Sequence, residues 1–365
     1  MAVITYKCPN CGGGLQFDPG TQKYTCEFCG SSFTQEQLDE LAPSNAKDQK
    51  AEQIDVGETQ SAGDEAPEEG EKQAGEAVLY TCPSCGAEIV TDETTAATFC
   101  YYCHNPVVLE GKLSGEYLPD RILPFKIDRK KAEQGFLDFV HHKKFVPKSF
   151  FSRQQIEKLS GVYYPYWMYD CELDGGITGK ATNIRTWIAG DMEFTETNIF
   201  HFEREGDVNV QNLSRNALKE SDRRLIDAVL PYRMNEVTDF RLPMLQGFVA
   251  QRRDVESKDV SQELLEKARN YAQTAERNTV TGYDNTSIEH SDFRVVRESW
   301  QYLLLPVWVL TYGSSNGQKY YFAMNGQTGE THGRLPVDTG KLAAVSSVAA
   351  AAVIALSVCL SYFVF

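Results

Sequence analysis

Positive charge is scarce in this sequence, and so are the signatures of enzymes. The chain of 365 residues carries 36 lysines and arginines against 51 aspartates and glutamates, a formal net charge of −15. This balance speaks against a general nucleic-acid binder, although a local basic patch would not show in the total. The sequence also lacks a nucleophile elbow, a paired-acid motif and a catalytic metal signature. We therefore expect a protein that is not an enzyme, with no catalytic and no cofactor-binding residues.

Histidine is rare, with six in the chain. Most of them are isolated or lack a carboxylate or cysteine at ligand spacing, and we expect them to be surface residues: His141, His142, His201, His290 and His332. Cys171 has no histidine near it in the sequence, so we expect it to be buried rather than nucleophilic.

No secretory signal precedes the first cysteines. The opening residues, MAVITYKCPNC, reach a charge and two cysteines within eleven positions. Because disulfides need an oxidising compartment, we expect the cysteines to stay reduced.

Eight of the ten cysteines form two copies of one spacing, in which one Cys-x2-Cys pair is followed by a second. A shift of 74 residues superimposes the two copies. Two such pairs on short hairpins supply four thiolates at the corners of a tetrahedron, as in a closed structural zinc site. The sequence therefore predicts two structural Zn²⁺ ions, with the ligands Cys8, Cys11, Cys26 and Cys29 in one site and Cys82, Cys85, Cys100 and Cys103 in the other.

The runs CPNCGG, CEFCGS, CPSCGA and CYYCHN resemble TFIIB-type zinc ribbons. Bacterial ribbon proteins of this kind are often labelled after the primosomal replication-restart helicase, and residues 325–336 resemble their C-terminal signature. A helicase needs a phosphate-binding loop, but the run GGITGKA at residues 175–181 has one residue too few between its glycines and lacks the Ser/Thr that binds Mg²⁺. We therefore reject the helicase function. The resemblance covers most of the chain and implies a link to bacterial membrane-stress proteins of the phage-shock or flotillin type.

Composition divides the chain into segments. Residues 46–77 carry ten acidic residues against three lysines and contain no aromatic residue, so they cannot offset their ordering entropy by burial. We expect a disordered tether there, with an acidic activation-type segment as the alternative. The expected segments are zinc ribbon 1 at 1–40, the acidic disordered linker at 41–77, zinc ribbon 2 at 78–111, an α+β domain at 112–340 and a transmembrane helix at 342–365.

The α+β domain is expected to be a duplicated strand–helix–β-meander unit. A shift of 141 residues superimposes two Pro-x-Trp motifs, at residues 165–167 and 306–308. One half has a helix behind Asp128 and the other a helix behind Ser261, where apolar residues recur at helical spacing. The predicted fold class is therefore α+β, with two N-terminal β zinc ribbons and a C-terminal transmembrane helix.

The Pro-x-Trp motifs allow two interpretations, a ligand groove or core strand positions, and we favour the core. Each motif leads into β-hairpins. In the second half, residues 313–317 and 325–326 are strong turn signals between apolar runs. In the first half, the apolar runs 184–188 and 199–202 are expected to have longer connections.

The last 24 residues carry no charge and contain four serines among apolar residues. As a helix they would extend about 36 Å, enough to cross a hydrocarbon core of about 30 Å. The alternative is a C-terminal helix buried in the soluble core. Arg334 and Lys341 precede the segment and no charge follows, so we expect a single span in the cell membrane with the N-terminal domains cytoplasmic. Cys359 would be a small apolar filler within it.

Residues 121–158 are the exception to the acidic balance, with ten basic residues against four acidic ones and a net charge of +6. Two interpretations stay open. The stretch could rest on anionic lipid, or it could be an ordinary solvated helix face.

Together these features predict a non-enzymatic, membrane-anchored zinc-ribbon adaptor or scaffold that recruits protein partners to the cytoplasmic membrane face. The alternative is a zinc-ribbon nucleic-acid-binding regulator. Each ribbon has a net charge of −3, which offers no basic surface for phosphates, so nucleic acid is not an expected partner. No small-molecule substrate is expected either.

Overall fold

The structure, a computed structural model, describes residues 3–4, 7–38, 40, 78–81, 88–91, 94–100, 106–109, 113, 115–143, 145–147, 156–219, 227–313 and 319–364. The α+β class is confirmed. The strands are β1 (Val3–Ile4), β2 (Leu15–Asp18), β3 (Lys23–Cys26), β4 (Ser32–Phe33), β5 (Val78–Thr81), β6 (Glu88–Thr91), β7 (Thr95–Phe99), β8 (Pro106–Leu109), β9 (Arg121–Ile122), β10 (Ser160–Ala189), β11 (Met192–Asn216), β12 (Thr238–Asp239), β13 (Val249–Gln251), β14 (Asn285–Gly313), β15 (Lys319–Asn325) and β16 (Thr331–Arg334). The helices are α1 (Arg129–His141), α2 (Ser257–Thr279) and α3 (Thr339–Val364).

A long three-stranded arm of β10, β11 and β14 dominates the fold. These strands have 30, 25 and 29 residues, and β10 lies between the other two and antiparallel to both. At about 3.3 Å per residue, a strand of this length can extend about 100 Å. The arm continues into the large sheet, whose main path runs β1-β8-β7-β13-β10-β14-β15-β16.

Both α1 and α2 pack against the same apolar cluster on one face of the sheet. The buried side of α2 carries Val260, Leu264, Ala268 and Ala272, which recur at helical spacing. In α1, the ring of Phe136 meets the ring of Phe322 in β15 edge-on, with 5.1 Å between the ring centres. The opposite face of the sheet is covered near its base by a second cluster that includes residues 229–237.

The predicted start of α1 is confirmed and that of α2 is wrong. The Asp128 side chain caps α1 by accepting a hydrogen bond from the Lys131 amide at 2.8 Å. The second helix begins at Ser257, because Glu256 and Asp259 form a reciprocal capping box there. Ser261 lies inside the helix, and its hydroxyl donates to the Lys258 carbonyl at 2.9 Å instead of capping.

The glycine-rich run that resembles a phosphate-binding loop lies in the middle of β10. A Cβ atom at Gly175, Gly176 or Gly179 would collide with a backbone carbonyl oxygen of a neighbouring strand. Only glycine permits so close an approach between the strands of the arm. The spacing of this run therefore has a packing cause, in agreement with the rejection of a helicase.

The two Pro-x-Trp motifs lie in the core, as favoured. Trp167 in β10 and Trp308 in β14 are buried, at 8% and 4% exposure. Trp167 Nε1 donates to Val255 O at 2.8 Å, and Trp308 Nε1 donates to Ile127 O at 2.9 Å. Each acceptor lies one residue before a helix cap, so each tryptophan fixes the entry of the chain into a helix.

The hairpin of β7 and β8 belongs to the large sheet. β7 pairs with β13 and β8 pairs with β1, whereas β5 and β6 form a separate two-stranded sheet. The expected boundary between ribbon 2 and the α+β domain, near residue 111, therefore does not separate two sheets. The linker expected at 41–77 lies outside the described residues, as do positions 314–318 of the predicted turn.

The longer connections expected between the apolar runs 184–188 and 199–202 are a wrong prediction. β10 and β11 continue through both runs and are joined by a two-residue turn at Gly190 and Asp191. Gly190 has a φ of +65°, which a tight hairpin turn requires at its first position. The two runs therefore form one continuous hairpin.

The C-terminal helix α3 does not lie in the protein core. It begins at Thr339, three residues before the expected start, and every side chain described from Leu342 to Leu360 is exposed. The segment Thr339–Leu360 is long and apolar enough to cross a membrane, and none of it is buried. The alternative of a helix buried in the soluble core is therefore wrong.

Candidate functional site

Two loops of matching backbone geometry present four cysteines in the N-terminal module, which we define as residues 7–38. In the first loop, the Cys8 amide donates to Gly13 O at 2.6 Å and the Gly12 amide donates to Cys8 O at 2.8 Å. The second loop repeats both bonds within residues 26–31. The glycine after the second cysteine has a φ of +74° in the first loop and +72° in the second, a conformation that favours glycine.

The four sulfur atoms converge. Cys8 Sγ lies 3.6 Å from Cys29 Sγ, and Cys11 Sγ lies 3.5 Å from Cys26 Sγ. All four sulfurs lie within 4.8 Å of one another. A disulfide would need a sulfur–sulfur distance of about 2.05 Å, so these are four separate thiols. Sulfurs bound tetrahedrally at about 2.3 Å are about 3.8 Å apart, so this group can hold a metal ion with little adjustment.

Four thiolates this close together oppose one another's ionisation unless a cation is bound. The Gly13 amide favours the Cys11 thiolate, but the neighbouring sulfurs of Cys26 and Cys29 outweigh it and raise the pKa of Cys11 to about 12. Hydrogen bonds from the Ser31 hydroxyl and amide lower the pKa of Cys29 to about 6. Cys29 is therefore the thiolate that an incoming cation would meet first.

The arrangement suits a structural ion. Cys8 and Cys26 are buried, whereas Cys11 and Cys29 are exposed, so the site joins the interior of the module to its surface. A tetrahedral ion with four sulfur ligands has no open position for water or a substrate. Such an ion would crosslink the two loops rather than take part in a reaction.

The N-terminal module also contacts the large sheet. The Phe17 amide donates to Gln246 O at 3.0 Å, and Gln22 Nε2 donates to Phe125 O at 2.8 Å. A cleft of about 720 Å³ lies between the module and the sheet, lined in part by Phe248. An ion that orders the module would therefore also order this contact.

The second predicted ligand set is described at one position. Cys100 is buried at the end of β7, where the spacing places it. Cys82, Cys85 and Cys103 lie outside the described residues. The prediction of a second metal site thus stays a prediction.

The remaining candidates behave as expected of ordinary residues. Cys171 is buried, and burial raises the pKa of its thiol, which disfavours a nucleophilic thiolate. The histidines examined for ligand spacing are exposed: His141, His142, His201, His290 and His332.

Sequence reasoning missed the end of the arm as a candidate site. We define the hairpin tip as residues 183–199, where β10 and β11 extend beyond the end of β14. The rings of Trp187 and Phe194 stack there, with 5.7 Å between their centres, and Ile188 and Met192 are 77% and 63% exposed. Large exposed apolar patches of this kind mark interaction sites. The available signal was a run of apolar residues on both sides of a Gly-Asp turn.

A comparison with known proteins places the chain in a family. The uncharacterized protein YdjG of Bacillus subtilis (strain 168) is 30% identical to it over 344 residues, which are 94% of this chain and 93% of YdjG. The chain belongs to the YdjG family. The family relationship extends over nearly the whole of both proteins, so it is not a likeness of the cysteine motifs alone. No protein-family model matches the chain, and no solved structure matches it.

Proposed function

We propose that this member of the YdjG family is a non-enzymatic adaptor, anchored in the cell membrane by α3, that holds a protein partner through the hairpin tip. The observation that carries the proposal is the exposed apolar surface at the end of the arm. Soluble proteins seldom expose clustered large apolar side chains without a partner. The expected adaptor function is retained, but its partner site moves from the ribbons to the arm.

The tip continues a face that is buried elsewhere in the arm. Ile177 and Ala181 of β10 are buried on the side where α2 packs, and strand alternation puts Trp187 on that same side. The helix ends at Thr279, and beyond it the ring of Tyr283 covers Phe200 at 5.3 Å. From there to the turn, the core-facing side of the hairpin is uncovered.

The occupant we propose is an amphipathic helix of a protein partner, packed as α2 packs on the neighbouring part of the same face. The tip carries Arg185 against Asp191, Glu193 and Glu196, a net charge of −2. A helix with an apolar face and basic flanks would complement this surface. The resemblance to bacterial ribbon proteins suggests that the partner belongs to the membrane-stress proteins.

We propose that the cysteine group of the N-terminal module binds Zn²⁺ as zinc ribbon 1 and that the second cysteine set binds another Zn²⁺ as zinc ribbon 2. Thiolate ligands at the separations given above favour this ion. Because ribbon 1 packs on the sheet, its ion would support the base of the arm rather than act in catalysis. Reduced, metal-bearing cysteines also suit the cytoplasmic side of the membrane.

We also infer that the α+β domain arose by duplication. Tyr164 and Leu305, which the shift of 141 residues superimposes, pair directly with each other where β10 and β14 run antiparallel. The matched hydrogen bonds of Trp167 and Trp308 add support, since each reaches the residue before the helix cap.

Site-specific photo-crosslinking tests the tip. A photo-reactive amino acid at Ile188 in the full-length protein should crosslink one protein in living cells, and the same probe at Val296 should not. Val296 is the matched control because it is 56% exposed on the same arm but lies outside the tip. The additional change Trp187→Ser should abolish the crosslink, since loss of a central aromatic anchor typically weakens binding at least about 30-fold.

Equal crosslinking from positions 188 and 296, or a crosslink that Trp187→Ser leaves unchanged, would contradict the adaptor proposal. A crosslink between two copies of this chain would identify the tip as a self-association surface and would also contradict it. Unchanged zinc content and thermal stability in Trp187→Ser would show that the loss does not come from misfolding.

A further inference from the structure

The point where α3 leaves the folded body is fixed by contacts with the loop after α1. The Asp338 amide donates to Phe145 O at 2.7 Å, and Lys341 Nζ donates to Val146 O at 2.9 Å. Asp338 also caps the helix, since its Oδ1 accepts from the Lys341 amide at 3.0 Å. Residues 145–146 are thus held beside the first turn of the helix that we propose to enter the bilayer.

A cavity of about 430 Å³ lies at this junction. Phe145, Val146 and the segment 335–337 give it apolar walls, and His142 and Lys143 line it with polar and cationic groups. Val337 is 55% exposed at the boundary with α3. Apolar walls beside a cation match the two parts of a phospholipid, an acyl region and a charged headgroup.

Lys143 is available to an anion. The α1 carbonyls nearest to it are already engaged, since the His142 amide donates to Asp138 O and the Lys143 amide donates to Val140 O at 3.0 Å. The Lys143 ammonium lies 5.4 Å from the centre of the Phe139 ring. Among the residues that the structure describes, no carboxylate forms an ion pair with it.

The basic stretch at residues 121–158 divides into two parts in the structure. Towards the start of α1, Arg129 pairs with Glu133 at 2.9 Å and Lys131 lies 3.7 Å from Asp128. Lys143 lies beyond the other end of α1, about 20 Å away along a helix of 13 residues. The lipid interpretation therefore applies to the end of the stretch beside α3.

We infer that the cavity between the end of α1 and residues 333–337 binds the headgroup of an anionic phospholipid of the bilayer that α3 enters. This inference rests on the proposed membrane span of α3. Lys143 pairs with the lipid phosphate, while the apolar walls contact the upper part of the acyl chains. Anionic lipid thereby orients the body, and with it the arm, on the membrane.

Lipid binding to the full-length protein tests the site. The protein in detergent micelles is titrated with phosphatidylglycerol or phosphatidylcholine, and bound lipid is counted by native mass spectrometry. Wild type should prefer phosphatidylglycerol. Lys143→Gln should weaken phosphatidylglycerol binding about fivefold and Lys143→Glu about 25-fold, at roughly fivefold per unit charge, with little effect on phosphatidylcholine.

Lys158 provides the matched control. It is exposed in the same basic stretch, and its neighbour Glu157 accepts a hydrogen bond from Arg129 at the far end of α1. Lys158→Gln and Lys158→Glu should leave lipid preference unchanged. Inorganic phosphate at millimolar concentration should not displace the lipid, because the apolar contacts are part of the binding. Its effective displacement would instead indicate a site for free phosphate and overturn the inference.

Equal lipid preference in wild type and Lys143→Glu would also overturn the inference. Carbonate extraction of membranes separates this failure from that of the proposed function. If both proteins stay in the membrane but bind lipid alike, the lipid site alone fails. If the full-length protein is extracted into solution, the proposed span fails and the lipid site fails with it.

Discussion

Replacing Cys26 by serine tests the metal centre at one of its two buried ligands. Cys26 is fully buried, and its sulfur lies 3.5 Å from that of Cys11 and close to the other two. A serine hydroxyl is a poor substitute for a soft thiolate ligand of Zn²⁺. We therefore expect Cys26→Ser to lose the ion of the N-terminal module.

The magnitude follows from the small core of that module. Leu15, Phe17 and Tyr24 are its large buried side chains, and at about 2 kcal/mol each they contribute on the order of 6 kcal/mol. A structural zinc ion contributes about 10–16 kcal/mol to the folding of such a unit. Because the ion contributes more than the apolar core, its loss should unfold β2, β3 and β4.

Elemental analysis and hydrogen exchange of the full-length protein measure both effects. Cys26→Ser should contain one zinc ion fewer per chain, and amide protection should fall across residues 15–33. Cys359→Ser should change neither, because Cys359 lies in α3, outside the metal site. Unchanged zinc content and unchanged protection in Cys26→Ser would refute the ligand assignment.

Two further predictions concern the arm. Gly176→Ala should destabilise the protein by about 3 kcal/mol or more in denaturant unfolding, since its Cβ would collide with a carbonyl of β11; Gly190→Ala, with open space around it, should cost only about 1 kcal/mol. Burial opposes ionisation of Glu263, but hydrogen bonds from Lys267 and the buried Arg215 hold its pKa below the usual value. That stabilisation is present above the pKa of unfolded glutamate and is lost as pH falls through the lower folded value. Glu263→Gln should therefore lower stability by about 1 kcal/mol at pH 7 and flatten its decline in acid, whereas an identical pH profile would contradict the pairing.

Local chemistry made part of this molecule predictable. The Cys-x2-Cys spacing and the glycine after it determine the loops of the N-terminal module, because both act within six residues. Asp128 identified the start of α1 for the same reason, as a short side chain that reaches the third amide of its own helix. The apolar character of α3 was equally plain from composition.

Long-range pairing accounts for what was missed. Nothing local reveals that β7 pairs with β13, some 150 residues away in the sequence. The hairpin tip was misread because its apolar residues point to both faces, which removes the alternation that marks one strand and its end. Glutamate is also an uncommon helix cap, so Glu256 was passed over in favour of Ser261.

Membrane fractionation tests the central claim, that the chain acts from a membrane through α3. Full-length protein should remain in the membrane pellet after washing with alkaline carbonate. A chain lacking residues 342–365 should appear in the soluble fraction with its zinc content intact. Full-length protein that is recovered in the soluble fraction would contradict the account.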